Sequence, residues 1–460
     1  MIRPLPIALA ILLAASPALA QGPSAAPVTP APAKPPATAT TPPPAGAPAP
    51  AEPAPRVINL DEALRIGLSH QPTLQQAKAA TEAADARVEQ ARAPLLPQIT
   101  GSASYQRQSQ TAAALAQIGT TSSVATELYG LNLTGRQLLW DFGQTWGRWD
   151  ASKASLSGQA LAEQATSRSV ALSIRSFYFN AVAAKALVGV SKDALANEQK
   201  HLQQVRAQVE VGTRPPVDLV QERVNLANAQ VRLIQAENTY ATARVQMEQA
   251  MGVSDLGPWE IAEENLPPVQ GEDAAPEVLL KEAIASRPEI ASGEAQIRAQ
   301  ELTVQAIQGG YGPTLGVQAG VSESGPRPSD LGTGWNAQVT LTWPLFQGGL
   351  TRGQVREASA NEVQLTAQIE QLRQQVRVDV EQARLGVIAA IATLDAAKDA
   401  SVSARERLRL AEARYETGVG SQLELSDAQL QLTTALGQQV SSEFQLAVAR
   451  SQLLRALGRS

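Results

Sequence analysis

Four segments of this chain alternate between apolar or small residues and polar ones, the period of two that is typical of β-strands. In the last segment the apolar residues Trp335, Val339 and Trp343 are separated by asparagine, glutamine and threonine. Segments of this length can cross a bilayer when tilted, which takes about 9–11 residues. The alternation predicts two strand pairs, at about 98–109 with 124–139 and at about 313–323 with 334–346.

The tryptophans support a membrane environment for these strands. Five of the six lie in or just after the strand segments, as an interfacial aromatic girdle requires: Trp140, Trp146, Trp149, Trp335 and Trp343. The alternative is a soluble domain that carries two amphipathic hairpins. The polar positions hold mainly asparagine, glutamine, threonine and serine, with few charged residues, which favours strands in a membrane whose polar faces line water.

Each strand pair is followed by a long stretch without proline in which apolar residues recur at every seventh position. Such a repeat is typical of helices that pack in left-handed supercoils. A helix of this length would reach about 100 Å at 1.5 Å per residue. A glycine turn and a shorter returning helix follow each stretch, so the predicted helices are residues 144–211 and 215–251, and residues 350–417 and 421–457.

The two halves of the chain are copies of one unit. Residues 70–74 (HQPTL) match residues 286–290 (SRPEI), and further matches continue to the end of the chain. Internal repeats of this kind have to be recognised before a fold is assigned. The chain therefore divides into a first copy, residues 57–260, and a second copy, residues 261–460, which predicts a protomer with internal two-fold repetition.

The start of the chain is an export signal. Residues 1–20 combine the positive Arg3, an apolar run and a small-x-small site that predicts cleavage after Ala20. Residues 21–56 are almost only proline, alanine and threonine, a composition that predicts a disordered or polyproline-like leader. Its simplest role is that of a passive spacer. The mature protein is then expected in the periplasm, the outer membrane or outside the cell.

Composition excludes several other classes of protein. A net charge of −5 excludes a strongly basic nucleic-acid binder. Without cysteine there is no disulfide, no thiolate metal site and no lipobox for acylation. The two histidines, His70 and His201, lie far apart in sequence, and we find no phosphate-binding loop, dinucleotide turn or nucleophile elbow. The sequence therefore predicts neither an enzyme nor a cofactor.

Three short motifs carry a family resemblance, together with the signal peptide and the duplicated unit. They are residues 211–219 (VGTRPPVDL), residues 345–349 (LFQGG) and the Met-Gly and Leu-Gly helix ends at 251–252 and 457–458. In this order they resemble the TolC-type outer-membrane efflux proteins, over about residues 57–460. The missing cysteine indicates the non-acylated branch of that family.

The resemblance implies a mixed α/β membrane protein. It would be a homotrimer with a twelve-stranded β-barrel in outer-membrane lipid, four strands per chain, continued by a long α-helical coiled-coil barrel and a mixed collar near residues 253–285. It implies an exit duct for a tripartite efflux pump or a type I secretion system, with a periplasmic adaptor and an inner-membrane RND or ABC transporter as partners. The alternative is a periplasmic coiled-coil adaptor or scaffold without a pore.

The resemblance also implies roles for the turns between the long helices. The tips, Gly212, Thr213 and Arg214 with Gly418 and Gly420, would meet the α-hairpin of the adaptor; the alternative is that they are ordinary capping turns. In the second tip Gly420 stands where the family has a basic residue, and Arg214 occupies the equivalent place in the first tip.

Two further pairs are expected near the tips. In the family, a tyrosine and an aspartate at the positions of Tyr415 and Asp218 hold adjacent coiled coils together as a periplasmic gate. The alternative is that Tyr415 serves only in packing. Glu424 and Asp427 lie three residues apart on the returning helix and face the same way. They would form an acidic ring that selects cations at the tunnel entrance, and their alternative is a solvated acidic face.

Overall fold

The computed structural model describes residues 56–109, 125–254, 257–264 and 266–459. All of these residues belong to one compact unit, Ala54–Ser460. The predicted export signal and all but the last residue of the predicted leader therefore lie outside the described residues. Arg56, which the sequence assigned to the leader, is already the first residue of a strand.

The same six elements occur twice along the chain. In the first copy they are α1 (Leu60–His70), α2 (Pro72–Arg92), β2 (Gln98–Ser109), β3 (Ala125–Trp140), α3 (Gln144–Glu210) and α4 (Pro216–Met251). In the second copy they are α5 (Pro276–Ser286), α6 (Pro288–Gln308), β5 (Thr314–Arg327), β6 (Asp330–Thr342), α7 (Leu350–Glu416) and α8 (Gln422–Ala456). Two strands of three residues, β1 (Arg56–Ile58) and β4 (Trp259–Ile261), lie at the two ends of the first copy.

The last strand lies earlier than the sequence predicted. It was expected at about 334–346 but runs from Asp330 to Thr342. The β5–β6 hairpin turns tightly, because Arg327 pairs with Asp330 and leaves only Pro328 and Ser329 in the turn. Pro344, which lacks a backbone N–H, stands just beyond the end of the strand. The long helices α3, α4, α7 and α8 begin and end within one residue of their expected bounds.

The four long strands form one antiparallel sheet in the order β2-β3-β5-β6. The register places Leu133 opposite Val321, and Val321 opposite Trp335. One face of the sheet is consequently apolar on all four strands, with the residues Ile99, Ala103, Tyr105, Tyr129, Leu131, Leu133, Val317, Ala319, Val321, Trp335, Ala337, Val339 and Leu341. This face is exposed, and the Trp335 side chain is 81% accessible.

The helices pack around the long helix of each copy. Helix α3 runs beside α4 and also contacts α2, α6 and α8, while α7 runs beside α8. Part-way along α3, the parallel strands β1 and β4 close a core that contains Ile174, Tyr178 and Trp259. A matching core forms where α5 packs against α7 and α8. The segment that was expected to build the collar thus supplies β4 and α5.

Candidate functional site at the hairpin tips

Each long helix turns into its returning helix through the same kind of cap. Gly212 and Gly418 both have a φ of +77°, a conformation that glycine adopts without a Cβ penalty. The N–H of Thr213 donates to the carbonyl of Gln208 at 2.9 Å, and the N–H of Val419 donates to the carbonyl of Arg414 at 3.1 Å. Both turns therefore satisfy carbonyl groups at the end of the preceding helix.

The glycine at position 420 has a packing reason. Its N–H donates to the carbonyl of Arg414 at 2.8 Å, which draws the turn against the end of α7. A Cβ added at Gly420 would stand 3.0 Å from the backbone carbon of Arg414 and the backbone nitrogen of Tyr415. A side chain at this position would therefore require the turn to shift away from the end of α7.

Arg214 of the first tip reaches across to the second. Its Nη2 donates to the carbonyl of Tyr415 at 3.2 Å, and its guanidinium carbon lies 4.2 Å from the centre of the Tyr415 ring. A cation at the carbonyl end of a helix interacts favourably with the helix dipole, and stacking on the ring adds a cation–π attraction. Arg214 therefore links the two tips.

The structure brings Tyr415 and Asp218 into the same neighbourhood without the expected hydrogen bond. The Tyr415 ring is 3% exposed and packs with Val205, Leu408 and Leu425. Among the residues that the structure describes, its hydroxyl has no hydrogen-bond partner. Burial raises the pKa of this hydroxyl, and Asp218 adds to the rise while Arg214 opposes it. In the single chain the ring is packed among these residues, and the gate bond stays a prediction.

The two acidic residues of the second tip each have an arginine partner on α7. Arg414 Nη1 lies 3.2 Å from Glu424 Oε1, and Arg407 Nη2 lies 2.6 Å from Asp427 Oδ2. These arginines, seven residues apart, are functional candidates that the sequence did not reveal. Because they stand beside the carboxylates, they lower the negative charge that the predicted acidic ring would present.

The described ranges contain neither a candidate metal site nor a helix that could span a membrane. There, no group of three or more histidine, cysteine, aspartate and glutamate residues could hold a metal ion. Nor is any helix in these ranges both long and apolar enough to cross a bilayer.

Two blocks of the sequence match one known family. Residues 64–253 and 279–459 match the family described as outer membrane efflux protein. The chain belongs to this family. The two blocks correspond to the two copies of the repeated unit, so the match confirms the resemblance together with the outer-membrane location and efflux function that it implied.

Individual relatives of this efflux protein are distant but cover most of its length. Outer membrane protein TolC of Escherichia coli is 24% identical over 402 residues, covering 84% of this chain and 79% of the relative. Protein CyaE of Bordetella pertussis is 26% identical over 412 residues, covering 88% of this chain and 85% of the relative.

Solved structures confirm the fold class. The crystal structure of the Campylobacter jejuni CmeC outer membrane channel superposes with a TM-score of 0.75 at 19% identity, covering 87% of this chain and 85% of that one. The open state of the Neisseria gonorrhoeae MtrE channel gives a TM-score of 0.71. The trimer, the closed barrel and the non-acylated branch stay predictions for this efflux protein.

Proposed function

We propose that this efflux protein is a passive exit duct made by three copies of the chain. The observation that carries the proposal is the exposed apolar face of the four-stranded sheet, which is continued by helices of 67 residues. The proposed trimer has a twelve-stranded barrel in the outer membrane and a coiled-coil barrel in the periplasm. It moves its cargo without chemistry, so no residue has a catalytic role.

The open edges of the sheet argue for several copies. Within the described part of the chain, β2 and β6 each pair on one side only. An unpaired strand edge in hydrocarbon leaves N–H and carbonyl groups without partners, each costing several kcal/mol. A barrel of eight strands is filled by its own side chains, so two copies leave no conduit. Three copies are the smallest number that gives an open passage.

A second unpartnered surface lies on α4. Val217, Val220, Val224, Val231 and Ile234 follow the spacing of a coiled-coil seam and are all exposed in the single chain. Such a seam is typical of a helix that packs laterally against another helix. In the proposed trimer this seam packs against a neighbouring copy.

The proposed partners follow from the tips. The exposed turns at Gly212 and Gly418 dock the α-hairpin of a periplasmic adaptor, which connects the duct to an inner-membrane RND or ABC transporter. Drug efflux and type I secretion are both compatible with such a duct. The second candidate, a periplasmic scaffold without a pore, is disfavoured because it has no use for the apolar sheet face.

Cysteine cross-linking tests the assembly, because the chain contains no cysteine of its own. Ser102→Cys on β2 and Gln338→Cys on β6 lie on opposite edge strands. When combined, they are expected to give covalent trimers with a short bis-maleimide, which alkylates one thiol at each end, in outer-membrane fractions. Gln318→Cys with Gln338→Cys is the control, since these residues face each other within one chain and should cross-link internally. Only monomers from the first pair, with the control reactive, would contradict the trimer.

A further inference from the structure

Two glutamates are buried between α3 and α4 above the first tip. Glu222 is 1% exposed and ranks with leucine and isoleucine side chains among the most deeply buried of the described residues. Glu198 on α3 is 7% exposed. Burying a carboxylate is costly unless it is paired with a cation or hydrogen-bonded. The two buried carboxyl groups therefore require a cation or a hydrogen-bond donor as a partner.

In the described ranges, neither carboxyl oxygen of Glu222 has a hydrogen-bond donor. The Oε2 of Glu198 has none there either. The two carboxyl groups instead lie within hydrogen-bonding reach of each other. Two acceptors that face each other form a hydrogen bond only when one of them carries a proton. We infer that Glu198 and Glu222 bind a single proton between them and that its loss loosens α3 against α4.

The surrounding groups indicate which carboxyl group holds the proton. Arg232 on α4 lies near Glu198 and lowers the pKa of that group, although burial raises it overall. Around Glu222, burial and then the charge of Glu198 raise the pKa to about 7, and Asp218 contributes further. The proton therefore resides mainly on Glu222, and Glu198 accepts the hydrogen bond.

Helices α7 and α8 do not supply a counter-charge. From α7 the group that faces Glu222 is the phenol of Tyr415, which is neutral at physiological pH. From α8, Ser426 accepts a hydrogen bond from the Asn225 amide at 3.0 Å. That amide favours the charged form of Glu222, but it is already directed at the serine.

The direction of the pH effect follows from the raised pKa of Glu222. Exposed to water on opening, this carboxyl group would titrate near 4.5, whereas in the packed hairpin it titrates near 7. The packed state binds the proton more tightly than the open state does. The resulting stabilisation of the packed state is complete below pH 4.5 and is lost as the pH rises through 7. The population in which α3 and α4 separate should rise about tenfold between pH 6 and pH 8.

Infrared spectroscopy and hydrogen exchange on the purified full-length protein test this inference, which does not depend on adaptor docking. Wild type should show the carbonyl stretch of a protonated carboxyl group that disappears around neutral pH. Glu222→Gln and Glu198→Gln should each abolish it, because the new amide donates the hydrogen bond that the proton supplied. Glu237→Gln, an exposed glutamate on α4, is the matched control and should change nothing.

Exchange of the α4 amides measures the consequence. The intrinsic rate of amide exchange changes with pH equally in wild type and Glu222→Gln, so dividing the wild-type exchange rate by the variant's rate removes it. This ratio should rise about tenfold from pH 6 to pH 8. A carboxyl band that persists in both glutamine variants, or a ratio independent of pH, would overturn the inference. If added Mg²⁺ or Ca²⁺ slows wild-type but not Glu222→Gln exchange at pH 8, the pair binds a metal ion and the proton assignment is wrong.

Discussion

The guanidinium of Arg214 covers the ring of Tyr415 at 4.2 Å and donates to the carbonyl of the same residue at 3.2 Å. One side chain from the turn between α3 and α4 thus contacts both the ring and the backbone of a residue at the end of α7. The second tip cannot return the contact, because Gly420 occupies the equivalent position and has no side chain. Arg214 therefore makes this contact between the two turns in one direction only, while the Asn225–Ser426 hydrogen bond and the packing of Val205 against Tyr415 join the helices above them.

Removing this contact should separate the tips. Arg214→Ala is expected to cost about 1–2 kcal/mol of the tip–tip interaction, because both the stacking and the hydrogen bond are lost. Arg214→Lys should recover part of it, since a lysine keeps the charge but not the planar fork. Hydrogen exchange of residues 211–219 measures the effect. Arg206→Ala, which removes an exposed pair with Glu210, is the control, and equal effects of the two alanine variants would contradict the assignment.

Tyr415 should act through its ring rather than through its hydroxyl. Tyr415→Phe is expected to leave single-channel conductance in planar bilayers unchanged, because the hydroxyl has no partner among the described residues. Tyr415→Ala should cost about 3–5 kcal/mol of stability, the usual range for truncating a buried aromatic ring. A clear rise in conductance of Tyr415→Phe, reproduced by Asp218→Ala, would instead assign the gate to a hydroxyl–carboxylate bond.

The acidic pair at the second tip should bind trivalent cations less strongly than its charge suggests. Glu424→Gln with Asp427→Asn is expected to remove most of the block of conductance by hexamminecobalt. Arg407→Gln with Arg414→Gln should strengthen the block, because each substitution frees a carboxylate from its ion pair. Bilayer recordings of both double variants distinguish the ring from a solvated acidic face. If neither double variant alters the block, these residues do not line the entrance.

The tip glycines should be needed for their conformation. Gly212→Val and Gly418→Val place a β-branched residue at a φ of +77°, which is strained even though the space around both positions is open. Export by the assembled trimer should be lost. Gly189→Val is the matched control, because Gly189 also has open space but lies within α3 without a positive φ. Normal export by Gly212→Val would leave the tips with a capping role only.

The long elements could be predicted because their patterns are continuous. Helix α3 contains no proline and keeps its seven-residue repeat, so its range was evident from the sequence. Helix α2 was missed, because only Leu74 and Ala84 are buried along its 21 residues and they leave no apolar stripe to recognise. The start of β6 was displaced because Asp330, Gly332 and Gly334 are residue types typical of a loop, whereas in the hairpin all three pair with β5.

The tip site was only partly predictable for a different reason. Tyr415, Arg214 and Glu424 could be singled out from the turn motifs. Asp427 was singled out as well, but the arginine partners of the two carboxylates could not be, because Arg407 and Asp427 are 20 residues apart in sequence and meet only when α7 and α8 pack. The buried position of Glu222 likewise depends on which side of α4 faces α3, which a helix rich in polar residues does not disclose.

The equal lengths of α3 and α7, 67 residues each, restrict how this duct can change in evolution. Deleting seven residues from one helix alone would raise its tip by about 10 Å at 1.5 Å per residue, and Arg214 could no longer reach Tyr415. A viable deletion must occur in both copies at once, with matching losses in α4 and α8. Homologues adapted to a wider or narrower periplasm should therefore differ by paired insertions of whole heptads.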